Sequence, residues 1–150
     1  MNSEENKNTK KQNESKKLWP FVFLLLALVV ADLLTKHFAG HIFKNSQFAF
    51  SLPLPLWLIY IIYAVVLSSI GYYVYKHNSG FGLYAKMAWV LIFAGALCNI
   101  LERIALGFVR DFIYISLGPW TGVYNLADFY IILGIIILLF LPKDQTTHQL

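Results

Sequence analysis

Polar and apolar residues are segregated along this chain into long blocks. Residues Met1 to Lys17 are Asn, Lys, Glu, Gln and Ser with no apolar periodicity, so this stretch is expected to be a disordered tail. From Trp19 to Phe38 the chain is almost continuously apolar, followed by three further runs: Pro55 to Tyr75, Lys86 to about Leu106, and Val123 to Leu141. Each is close to the roughly 20 residues with which a helix crosses a hydrocarbon layer about 30 Å thick. The pattern predicts an all-α membrane protein: a bundle of four transmembrane helices over residues 18–142, with short tails at 1–17 and 143–150. A cleaved leader would also set a basic tail before an apolar run, but the first run is too long and polar at its far end. It reads as a span.

Two connections carry structure signals of their own. Between the first two helices, the alternation Gln47-Phe48-Ala49-Phe50-Ser51, with Pro53 and Pro55 after it, predicts a small β-like region at the membrane surface. Between the last two, Gly118-Pro119 and Gly122 supply turn chemistry. Trp19, Trp57, Trp89 and Trp120 lie near predicted helix ends, where amphipathic rings favour the headgroup layer.

Composition agrees: 58% of the 150 residues are hydrophobic and 13% charged, which calls for lipid as the main solvent. The excess of 12 Lys and Arg over 8 Asp and Glu does not indicate a nucleic-acid partner, because five of the lysines (Lys7, Lys10, Lys11, Lys16, Lys17) precede the first apolar run. With Lys76, Lys86 and Lys143 they put eight basic residues on one side, against Lys36, Lys44, Arg103 and Arg110 on the other. The positive-inside rule then places both termini in the cytoplasm and the first and third connections outside. The lone Cys98 cannot form an internal disulfide, and no Cys/His cluster has metal-ligand spacing.

Ionisable groups within apolar spans are costly and need a partner or a role. Asp32 and Lys36, four apart on the first helix, read as an ion pair with Lys36 snorkelling outward. Asn99, Glu102 and Arg103 share the outer end of the third helix, either as an interhelical hydrogen-bond cluster or as groups that hold a substrate backbone or phosphate. Arg103 is the bidentate donor among them, suited to fixing a carboxylate. Asp111 follows this helix and Asp128 begins the next, so antiparallel neighbours would bring both acids to one outer mouth. Singly, Asp111 also reads as a solvated loop acid beside Arg110, and Asn125-Leu-Ala-Asp128 as a helix cap. Jointly they favour chemistry.

Five ordered blocks carry a family resemblance: Asp32-Leu-Leu-Thr35-Lys36, Asn45-Ser-Gln-Phe-Ala49-Phe50-Ser51, Gly95-Ala-Leu-Cys-Asn99-Ile-Leu-Glu-Arg103, Gly107-Phe-Val109-Arg-Asp111-Phe112 and Asn125-Leu-Ala127-Asp128. The chain resembles lipoprotein signal peptidases, the type II signal peptidases. The resemblance implies a hydrolase of the bacterial inner membrane, an aspartic endopeptidase that processes lipoproteins. It would cut diacylglyceryl-modified prolipoproteins before the lipidated cysteine, as a monomer among membrane lipids, with no metal or organic cofactor. It implies Asp111 and Asp128 as the catalytic dyad, with Asn45, Asn99, Arg103 and Asn125 supporting the site or contacting substrate. Gln47, Cys98 and Glu102 depart from the family pattern, which usually has glycine, glycine and aspartate there. Two other functions fit the same residues: an inactive relative that binds lipidated peptides, and a small proton or ion transporter using Asp32, Lys36, Glu102 and Asp128 as a relay.

Overall fold

The computed structural model describes residues 3–46, 54–77, 81–118 and 120–141. In chain order the elements are α1 (Ser3–Phe38), β1 (Phe43–Asn45), α2 (Leu56–His77), α3 (Leu83–Leu106), β2 (Val109–Asp111), β3 (Ile113–Leu117), β4 (Trp120–Tyr124) and α4 (Leu126–Phe140). The protein is mostly helical, with short antiparallel strands. The strand expected over Gln47–Ser51, Pro119 and the tail at 143–150 lie outside the described residues.

Among the described residues, three helical stretches are long and apolar enough to cross a membrane: Leu18–Phe38, Leu56–His77 and Leu83–Leu106. α4, at 15 residues, is shorter. The fourth apolar run was expected from Val123, but β4 takes residues up to Tyr124 and Asn125 caps the helix that follows. α1 also departs from expectation, because helix begins at Ser3 and the polar stretch 3–17 forms its first turns. Once an apolar helix is nucleated, adding residues costs little, and Lys, Glu and Gln are good helix formers.

α3 is the central element, packed on α4, α1 and α2. Its buried positions include Ala85, Ala88, Ala94, Gly95 and Ala96, and α4 answers with Ala127, Tyr130 and Gly134. Small residues let two helix backbones approach where lipid supplies no hydrophobic drive between helices. A methyl group on Gly134 would lie 2.7 Å from the Ala88 carbonyl oxygen, and one on Gly95 would collide with that of Ala127. Phenylalanine and leucine side chains on the outward faces, among them Phe23, Phe38, Leu139 and Phe140, are left for a lipid solvent. At the opposite end of the molecule from the strands, Trp89 meets Tyr73 and Phe81 at centroid distances of 5.9 and 6.3 Å, tying the end of α2 to the start of α3.

The β structure differs from the expected region between the first two helices. β1 does follow α1, but its partner is β2, beyond α3, in the antiparallel register Phe43↔Asp111, Lys44↔Arg110 and Asn45↔Val109. β3 and β4 form a hairpin closed at Leu117↔Trp120, where Gly118 takes φ +61°. Phe112 N extends the hairpin by donating to Tyr124 O at 2.9 Å. Gly107, at φ +80°, ends α3 and donates to Arg103 O at 2.9 Å, turning the chain directly into β2.

Gly95→Ala is expected to force α3 and α4 apart, at a cost of about 1–3 kcal/mol for overpacking a tight contact. Thermal unfolding in detergent should show a lower Tm than wild type; an unchanged Tm would mean the helices do not depend on this approach.

Candidate active site

The site forms where the ends of α1 and α3, the start of α4 and the strand pair β1–β2 meet. Alternation along β2 buries Val109 and Asp111 on one face. Asn45 stands opposite Val109 on β1, so its diagonal neighbour on that face is Asp111. Asn45 Nδ2 donates to Asp111 Oδ2 at 2.9 Å. Asp111 is buried, and Arg110 is not its partner. The alternative of a solvated loop acid is therefore corrected.

Asn125 does two jobs. As the N-cap of α4 it forms a capping box with Asp128: Asp128 N donates to Asn125 Oδ1 at 3.1 Å, and Asn125 N donates to Asp128 Oδ2 at 3.0 Å. Its Nδ2 meanwhile donates to Asp111 Oδ1 at 2.6 Å. The cap that the sequence offered as an alternative to chemistry thus joins the two acids. The other oxygen of Asp128, Oδ1, accepts from Asn99 Nδ2 at 2.8 Å across the α3–α4 contact.

Behind the acids lies a buried charge cluster. Lys36 is 0% exposed, with its ammonium 2.8 Å from Asp32 Oδ2, 2.9 Å from Glu102 Oε2 and 3.4 Å from Asn99 Oδ1. The expected pair with Asp32 is present, but Lys36 turns into the protein and does not snorkel. Two acids waiting inside outweigh the pull of the interface. Asp32 Oδ1 also accepts from Ala127 N at 3.0 Å, so α1 holds the start of α4. Glu102 binds Arg110 through both the guanidinium Nε and the backbone N.

Arg103 is buried and donates from Nη1 to the Tyr63 hydroxyl at 3.2 Å, while Tyr60 donates to Arg103 O at 2.9 Å. These two tyrosines on α2 were missed in the sequence. Their signal was a spacing of three that puts two polar tips on one helix face. Cys98 is buried beside Asp32.

Asp111 stands outside the helices. Burial above all, and then the nearby Asp128 charge, pushes its carboxyl above the usual range, against hydrogen bonds from Asn125 and Asn45 that favour the ionised form. Arranged this way, one carboxyl can hold a proton beside another fixed by two donors.

The sequence profile of the family described as Signal peptidase (SPase) II matches residues 17–142. Apolar helices, two acids bridged by Asn125 and this match define the chain as a membrane peptidase. Among similar proteins, the lipoprotein signal peptidase of Aquifex aeolicus is 30% identical over 145 residues, covering 83% of this chain and 86% of that one. That of Caldicellulosiruptor bescii is 36% identical over 108 residues, with 71% and 68% covered. The Clostridioides difficile enzyme is 32% identical over 95 residues, and the match spans 63% of each chain. A solved bacterial membrane enzyme structure superposes with a TM-score of 0.70 at 23% identity, over 81% of this chain and 86% of that one, and shares the fold. The chain belongs to the signal peptidase II family.

Lys36→Met is expected to leave Asp32 and Glu102 buried without their shared cation, at a cost of about 3–5 kcal/mol. Asp32→Ala should cost less, because Glu102 still faces Lys36. Melting curves of both variants in detergent check the order; a Lys36→Met protein as stable as wild type would show that the cluster is hydrated.

Proposed function

We propose that this protein is a membrane-embedded aspartic endopeptidase that removes signal peptides from diacylglyceryl-modified bacterial prolipoproteins, with Asp111 and Asp128 as its catalytic residues. The observation that carries the reading is the one residue, Asn125, that holds both carboxyls, donating from its side chain to Asp111 and from its backbone N to Asp128, in a chain of this family.

Two acids held together share one proton, because both cannot ionise easily. Asp128 sits at the positive end of the α4 dipole and takes hydrogen bonds from Asn99 and from Asn125 N, which favour an anion there, so it is assigned as the base. Asp111, whose carboxyl burial pushes above the usual range, is the acid. Asp128 takes a proton from water as the water attacks the scissile carbonyl, and Asp111 donates to the carbonyl oxygen, where charge develops. Collapse of the tetrahedral intermediate breaks the C–N bond, and the proton on Asp128 passes to the leaving amine. Asn45, Asn99, Asn125 and Arg103 orient the acids or contact substrate.

The same reading sets four helices across the bacterial inner membrane as a monomeric bundle, with both termini in the cytoplasm and the acids at the outer face. What supports this is the eight-to-four division of Lys and Arg and the convergence of α3 and α4 at the acids. The substrate's lipid would stay in the bilayer while its backbone reaches the mouth.

Incubation of the purified protein with a lipid-modified prolipoprotein should release the signal peptide. Asp111→Asn and Asp128→Asn should each lower kcat by about 10²–10⁴-fold while substrate still binds, since an amide keeps the size but cannot exchange the proton. The double variant should be hardly worse than either single one. Near-normal turnover in one single variant would remove the dyad.

Activity against pH should be bell-shaped. Its alkaline limb marks loss of the proton on Asp111, so it should lie above the ordinary carboxylate range. Asn45→Ala removes a donor that favours the ionised form, so that limb should move to higher pH; a move to lower pH would overturn the assignment of Asp111 as acid.

A further inference from the structure

Glu102 touches neither acid, yet it closes a ring of contacts that contains both. From Asp111 the ring runs through Asn125 to Asp128, then to Asn99 and Lys36. Lys36 meets Glu102, and Glu102 binds Arg110, the residue bonded to Asp111 in the chain. We infer that Glu102 is a positioning residue for the dyad, aligning Asp111 through Arg110 and Asp128 through Lys36 and Asn99. This inference rests on the dyad reading above.

The geometry at Arg110 explains how a distant carboxylate can aim an acid. Glu102 Oε2 accepts from Arg110 N at 3.1 Å while Oε1 accepts from Arg110 Nε. Holding both the amide and the side chain of one strand residue fixes the roll of β2 about its own axis. Because successive side chains point to opposite faces, that roll sets the direction of Asp111. β2 has only three residues and one paired neighbour, so the strand alone does little to prevent rotation.

On the other side, Glu102 Oε2 stands 2.9 Å from the Lys36 ammonium. That cation faces Asn99 Oδ1, so the amide of Asn99 has its NH₂ turned away, toward Asp128. With Glu102 gone, Lys36 keeps only Asp32 as an anionic partner and can follow it away from Asn99. Glu102 is 4% exposed and Arg110 24%, so water competes at the Arg110 end and the tie depends on both oxygens being occupied at once.

The test measures kcat and KM for a lipid-modified prolipoprotein, with thermal melts, on the full-length protein in detergent. Glu102→Gln keeps the length but cannot serve two cations. Its kcat should fall about 10–100-fold, the scale of a misplacement near 1 Å, with KM within about threefold of wild type. Glu102→Asp restores the charge and should bring kcat back to within about fivefold, allowing for its shorter reach. Arg110→Ala, at a partly exposed position, should lower kcat less than Glu102→Gln, because Arg110 N still reaches the carboxylate. Unchanged kcat in Glu102→Gln, or a fall that matches the loss of folded protein, would overturn the inference. Asp111→Asn and Asp128→Asn run alongside separate the two readings. If they are inactive while Glu102→Gln is fully active, only the positioning role falls; if either of them cleaves normally, both readings fall.

Discussion

A single ammonium group buried in an apolar bundle organises this protein. An uncompensated charge in such a place is prohibitive, so the Lys36 side chain must find acceptors, and the fold supplies them from α1 and α3 together. The consequences spread outward. Asp32 is drawn into the interior, where its second oxygen meets the first turn of α4. Glu102 is drawn toward Lys36 and carries β2 with it through Arg110. Asn99 is left with only one orientation of its amide that suits the cation, and that orientation presents a donor to Asp128. A charge with no direct contact to either acid thus determines much of what surrounds them.

The second constraint is the close approach of α3 and α4. Asn99 lies one turn beyond Gly95, and Asp128 follows Ala127, so the contact between glycine and the Ala127 carbonyl sets the reach of the hydrogen bond between the polar groups. Small residues here are more than packing. They decide whether a short amide side chain can span two helices, and a single methyl group is large on that scale.

Relations within one turn of helix were legible in the sequence. The Asp32–Lys36 spacing, the Asn99–Arg103 spacing and the cap from Asn125 to Asp128 each follow from helix geometry, and family blocks drew attention to Asn45. What the sequence did not reveal are pairings between distant segments. β1 and β2 lie on either side of two long helices, and nothing local says that Asn45 will stand diagonal to Asp111. The β3–β4 hairpin was hidden for another reason. Its second strand straddled an expected boundary, with Trp120 to Gly122 read as connection and Val123 and Tyr124 as the start of the fourth apolar span. Lys36 was misjudged because snorkelling is the usual answer to one acid and one base near an interface, and the second acid, Glu102, arrives from another helix.

The cap of α4 has a consequence for how the protein comes apart. Three backbone amides in the first turn, those of Asn125, Ala127 and Asp128, donate to the side chains of Asp128, Asp32 and Asn125 rather than to ordinary helical carbonyls. A helix end normally frays easily, and its first amides exchange hydrogen with solvent quickly. Here those amides are shielded only while α1, α4 and the paired carboxyls remain assembled. The slow exchange of this one turn therefore reports the integrity of the whole polar centre, and its first opening is the loss of the site, ahead of the loss of the fold.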